Sequence, residues 1–281
     1  MSVVVDSHQH FWDLRQPFDH RWLDTPELES IRRDCLPVNL QSLIQQAGVD
    51  RTVLVQTQND LRENDWALSL TDENDFIAGV VGWLDLTSPN FERQLEELCL
   101  HPKFVGVRHL TQGESDDDFI IRDDVLRGLK ILERHRVPFD LLFLTRHLHH
   151  AADVARLCPD LPLVLDHLGK PMINARRLDN WEPNFRKAAS CPNVYCKLSG
   201  MVTEADWKAW TPADLKPYVD VALSAFGPAR CMFGSDWPVC ELAGTYNEVY
   251  GTLRELVETL SESEKAQIFG GTASAFYGLD R

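Results

Sequence analysis

Val3-Val4-Val5-Asp6-Ser7-His8-Gln9-His10 is a short β-branched run that passes directly into polar residues. This is the pattern of a buried strand whose end meets a polar face. Seven further runs of the same kind follow, at 52–57, 77–84, 104–109, 139–143, 163–167, 194–198 and 231–235. The stretches between them, among them 40–47, 126–136 and 148–157, read as amphipathic helices. Strands alternating with helices predict a parallel sheet covered by helices. Near-regular spacing of eight such units predicts a closed (β/α)8 TIM barrel rather than an open doubly wound sheet. Such barrels form one domain at about 250 residues, so the 281 residues are read as a single domain over 1–281.

Composition bounds the function. Hydrophobic residues are 44% and charged residues 25% of the chain, enough for a large core. A net charge of −15 argues against nucleic acid and anionic membranes as partners, because both need clustered Lys and Arg. The seven cysteines are odd in number and contain no C-x-x-C pair, which speaks against a disulfide framework and a thiolate zinc site. No basic leader precedes the opening valines, and no run approaches the roughly 20 apolar residues of a membrane span. A cytoplasmic enzyme acting on a small molecule is therefore expected. Nothing in the sequence specifies an oligomeric state.

Chemistry-bearing residues gather at the predicted strand ends. His8 and His10 alternate on one face of an extended segment and can converge on one ion or one substrate oxygen. Asp236, in Phe233-Gly234-Ser235-Asp236-Trp237-Pro238, falls where the eighth run stops, and in a barrel the eighth strand neighbours the first. His167, in Asp166-His167-Leu168-Gly169-Lys170-Pro171, arrives at the same rim from the sixth. His8, His10, His167 and Asp236 form a set able to hold one metal ion, zinc first. Two readings stay open: such an ion is bound, or imidazoles polarise a carbonyl while the aspartate takes a proton from water.

The long segment 11–39 and the polar stretch 112–118 are expected to overhang the catalytic face. Arg108, His109 and Lys197 are candidates for binding substrate oxygens, with a salt bridge across the barrel mouth as the competing reading for Lys197; Lys170 is a further candidate. Trp12, Trp22, Trp83 and Trp237 lie near the same ends, and Trp22 and Trp237 are taken as candidate surfaces for a sugar ring. His147, His149 and His150 are expected on a solvated helix face.

The ordered set VDSHQHFWDL, GVRH, PFDLL, DHLGKP, KLSG and FGSDWP resembles the amidohydrolase superfamily. More narrowly it resembles the lactonase branch, which includes sugar-lactone (L-fuconolactone, L-rhamnonolactone) hydrolases and 2-pyrone-4,6-dicarboxylate lactonases. The resemblance runs from about Val3 to Pro238. Binuclear members carry a bridging carboxylate, usually a carbamylated Lys, at strand four and a metal-binding His at strand five; here Arg108-His109 and Asp140 stand there. The resemblance thus implies at most one divalent ion, dispensable in some lactonases of the branch. It implies hydrolysis of a small lactone, with Asp236 as general base. The alternatives are a pyrone-dicarboxylate substrate, for which Arg108, Lys170, Lys197, Arg32 and Arg33 are the available cations, and metal-dependent decarboxylation, which generally needs a further His where Asp140 stands.

Overall fold

Each of the eight apolar runs forms a strand in the computed structural model, which describes residues 2–279. In chain order they are β1 Val5–Gln9, β2 Arg51–Val55, β3 Ile77–Gly82, β4 Phe104–His109, β5 Phe139–Leu141, β6 Leu163–Leu165, β7 Val194–Leu198 and β8 Cys231–Phe233. They pair in that order, all parallel. The sheet closes just past β8. There the Asp236 amide donates to the His8 carbonyl at 2.8 Å and the His10 amide donates to the Trp237 carbonyl at 2.7 Å. Asp6 seals the same seam: one carboxylate oxygen accepts from the Ser235 amide at 2.8 Å and the other from the Tyr246 hydroxyl at 3.1 Å. The architecture is the expected (β/α)8 barrel.

Several strands stop earlier than the apolar runs do. β5, β6 and β8 end at Leu141, Leu165 and Phe233 rather than at 143, 167 and 235. His167 at φ 52° and Asp236 at φ 58° take left-handed backbone, which leaves the ladder and turns both side chains over the barrel mouth. Helix starts also differ. The helix expected from 40 begins at Pro37, a residue that loses no hydrogen bond in a first turn, and ends at the left-handed Gly48. The stretch 148–157 is two elements, a 3-10 segment Thr145–His150 followed by the helix Ala151–Leu157.

The strands divide their side chains between two apolar clusters. Leu54, Val80, Val107, Leu163, Leu165, Cys231 and Phe233 join the large cluster under the helices. Their neighbours Val53, Val55, Val81, Val164 and Met232 form a smaller one with Ala273, Tyr277 and Leu279. Period-two alternation assigns the smaller cluster to the barrel lumen, so the C-terminal segment plugs the interior from below. The segment 11–39 is held at its ends by paired hydrogen bonds between Trp12 and Cys35, each 2.9 Å, and buries Phe11, Leu23 and Ile31.

Gly234, just past β8, packs tightly against β1: a Cβ there would lie 2.7 Å from the His8 Cβ and 3.0 Å from the Ser199 Cβ. Gly234→Ala is expected to lower unfolding free energy by about 1–3 kcal/mol through overpacking, read as a reduced denaturant midpoint with an unchanged slope.

Candidate active site

Above the apolar layer the same alternation turns Arg108, Asp140 and Lys197 into the lumen, since Val107 beside the first, Phe139 and Leu141 beside the second, and Cys196 and Leu198 beside the third belong to the outer core. All three are buried, as is Asp166. Lys197 Nζ donates to Asp140 Oδ2 at 2.6 Å and lies 3.1 Å from both Asp166 Oδ1 and His8 Nδ1. Arg108 Nη1 donates to Asp166 Oδ2 at 3.0 Å and stands 3.2 Å from His8 Nε2. From below, the Tyr277 hydroxyl is 2.9 Å from each Asp140 oxygen. Burial pushes the Asp140 carboxyl up to about 6 despite Lys197 beside it. For Asp166 burial acts in the same sense, but Lys197, His8 and Arg108 together hold its carboxyl well below the usual range.

The catalytic candidates sit on this layer. His8 Nε2 and His10 Nε2 are 3.2 Å apart, and Asp236 Oδ1 lies 3.8 Å from the first, 3.4 Å from the second and 3.9 Å from His167 Nε2. The His10 Nδ1 lies 2.7 Å from the Val55 carbonyl, and His167 Nδ1 is 2.9 Å from Ser199 Oγ. Desolvation alone would raise the Asp236 carboxyl, yet the imidazoles of His167, His10 and His8 outweigh it and hold the group ionised. Burial lowers His167 to about 4, and burial with Lys197 beside it lowers His8 well below its ordinary value.

The cluster opens into a cavity of about 310 Å³ whose lining includes His10, His167, Asp236, Arg108, Lys170 and Trp22. Asp19 and Gln112 in the same wall belong to the two stretches expected to overhang the site, although neither residue was singled out, and Thr57 and Gln58 at the end of the second run were missed. Sequence reasoning also left Asp166 without a role, although Asp166 stands beside His167 in the motif.

Three expected substrate contacts lie elsewhere. His109 is held between the Trp83 indole N–H at 3.0 Å and Glu114 at 2.8 Å and stacks on Phe119, so it braces the loop after β4. Trp237 is buried and donates to Glu241 at 2.8 Å. Lys197 is fully buried in the ion-pair layer, the salt-bridge alternative, and offers no atom to the cavity. Trp12 is core as well. Nor do His147 and His150 lie on a solvated face: both are buried, facing Asp117 and Asp118, and only His149 is exposed.

The amidohydrolase family model matches residues 5–279. This chain belongs to that family. An L-fucono-1,5-lactonase of Burkholderia ambifaria is 37% identical over 290 residues, spanning 100% of this chain and 97% of the relative. A crystal structure of an amidohydrolase from Burkholderia multivorans with bound zinc superimposes with a TM-score of 0.92 at 36% identity and covers 99% of each chain. The 2,6-dihydroxybenzoate decarboxylase from Rhizobium, at a TM-score of 0.73 and 14% identity over the whole of both chains, shares the fold.

Amidohydrolases generally use a divalent metal, and the residues here fit one. Ligand atoms of His8, His10 and Asp236 all lie within 4.8 Å of one another, the nitrogen and oxygen donor set that zinc accepts. The Val55 carbonyl accepts the proton of His10 Nδ1, which leaves the Nε2 lone pair directed at the cluster. A second grouping, His8, Asp166 and His167, shares His8 with the first, and Arg108 and Lys197 touch both its Asp166 carboxylate and the His8 ring.

Lys197→Met would leave the buried Asp140 with no cation and Asp166 with Arg108 alone. It is expected to cost about 3–5 kcal/mol of stability, measured by chemical denaturation; a loss below about 1 kcal/mol would show that the layer does not depend on the ammonium group.

Proposed function

We propose that this amidohydrolase opens a sugar-acid lactone of the L-fuconolactone type by adding water to its carbonyl carbon. The observation that carries the reading is the place of Asp236: an ionised carboxylate among three imidazoles, in a cavity of monosaccharide size. The full-length likeness to L-fucono-1,5-lactonases supports the substrate class.

Asp236 accepts a proton from water as its oxygen attacks the lactone carbonyl carbon. His8 and Arg108 face the developing oxyanion, the guanidinium as a fixed positive charge, while His10 presents its Nε2 lone pair as a ligand. When the ring C–O bond breaks, the protonated Asp236 returns its proton to the departing oxygen, and the open-chain hydroxy acid leaves. His8, His10, His167 and Asp236 would hold one divalent ion of the zinc type, which would supply Lewis-acid polarisation of a carbonyl. The rest of the cavity suits a polyhydroxylated ring. Trp22 offers an indole face, and its N–H is buried without a partner; Asp19, Gln58 and Gln112 supply polar side chains for hydroxyl groups.

A neutral lactone is favoured over a pyrone dicarboxylate by the state of the cations. Arg108 and Lys170 reach the cavity, but Asp166 and Glu204 counter them. Arg33 is paired with Glu241 and Arg32 with Asp24. Decarboxylation is disfavoured because Asp140 is committed to Lys197 and Tyr277.

Asp236→Asn is expected to lower kcat at least about 100-fold with an unchanged melting temperature. The assay is a panel of sugar lactones followed with a pH indicator, with and without chelator; near-normal turnover by the variant would remove Asp236 from the mechanism. Trp22→Ala is expected to raise KM by up to about tenfold, the value of one aromatic contact, with kcat little changed.

A further inference from the structure

The loop after β4 and the turn after β5 meet at the barrel rim around side chains that the lactone chemistry does not use. His150 Nε2 lies 2.9 Å from Asp118 Oδ1, and the His149 ring centroid is 3.8 Å from that of His150. One ligand atom from each of Asp118, His149 and His150 falls within 4.8 Å of the other two. His150 is only 3% exposed, and its Nδ1 makes no hydrogen bond. An unpartnered buried ring nitrogen is costly. The nearest carboxylate to it is Asp153, with Oδ2 at 3.9 Å. A metal-ligating imidazole turns its second N–H toward a carboxylate, so His150 already stands between the two groups that such a ligand needs.

We propose that Asp118, His149 and His150 bind a divalent transition-metal ion of the zinc class, at a rim site separate from the catalytic cluster. Two imidazoles and a carboxylate with a water in the fourth position make a zinc-type tetrahedral set. The local charge favours a cation: Asp116, Asp117 and Asp118 are consecutive, and Arg146 is bound to Asp117, leaving the Asp118 carboxylate to His150. An ion here would cross-link the two loops. The same β4 loop delivers Leu110 and Gln112 to the cavity wall, and the Gln112 carbonyl accepts from Arg146 Nη2 at 3.3 Å. Occupancy would thus stiffen one wall of the catalytic cavity. The inference stands independently of the reaction proposed above.

The test is calorimetric titration with Zn2+ of the chelator-stripped full chain carrying His10→Ala and Asp236→Asn, which removes two donors from the catalytic cluster. One Zn2+ per chain is expected to bind. Adding His149→Ala or Asp118→Asn, both at exposed side chains, should weaken that binding at least tenfold. In the otherwise wild-type chain each rim substitution should lower the zinc bound per chain by one, while lactone hydrolysis without added zinc stays unchanged. No Zn2+ uptake by the cluster variant, or equal zinc content with and without the rim substitutions, overturns the proposal.

Discussion

A layer of buried charge crosses the barrel lumen, and the site above it depends on that layer being complete. Lys197 and Arg108 face Asp140 and Asp166 with no exposed atom of consequence on any of the four. Desolvating such groups costs several kcal/mol each unless every one is paired. The Tyr277 hydroxyl completes the set by binding the Asp140 carboxylate from the opposite end of the barrel. The C-terminal segment is thereby part of the electrostatics of the mouth as well as a plug for the lumen.

From this layer the properties of the site follow. Burial and the Lys197 ammonium lower the basicity of His8, whose two ring nitrogens face Lys197 and Arg108. The imidazoles can act as metal ligands, and their proximity holds Asp236 as the one anion facing the cavity from the cluster. The close approach is made possible by small residues. Gly234 lets β8 lie against His8, and Gly200, at φ 60°, sits where a Cβ would be 2.5 Å from His167 Nδ1. The left-handed backbone of His167 and Asp236 is a local cost of about 1 kcal/mol or more each, carried by the surrounding barrel to aim two side chains at one point.

Selectivity resides in a different part of the molecule. The first loop contributes Asp19 and Trp22 to the cavity, and the loop after β4 contributes Leu110 and Gln112. These loops are fastened to the scaffold by local pairs, Trp12 with Cys35 on one and Arg146 with Asp117 on the other.

The eight strands, the barrel, and His8, His10, His167 and Asp236 as a group were legible in the sequence, because apolar period and strand-end position are local properties. What the sequence alone could not decide is which polar residues see the cavity. His109, Trp237 and Lys197 carry the right chemistry for substrate binding, yet hydrogen bonds to Glu114, Glu241 and Asp140 turn them away from it. Asp19 and Gln112, with no local signature, are brought in by loops. His147 and His150 read as a solvated face but are buried against aspartates from another loop. Local pattern determines element and face, since it depends on neighbours in the chain. The direction of a polar side chain is decided by its partner: for Lys197, His147 and His150 that partner comes from a distant strand or loop, and for His109 and Trp237 it stands only five and four residues away, in segments whose course past the strand ends the apolar pattern does not fix.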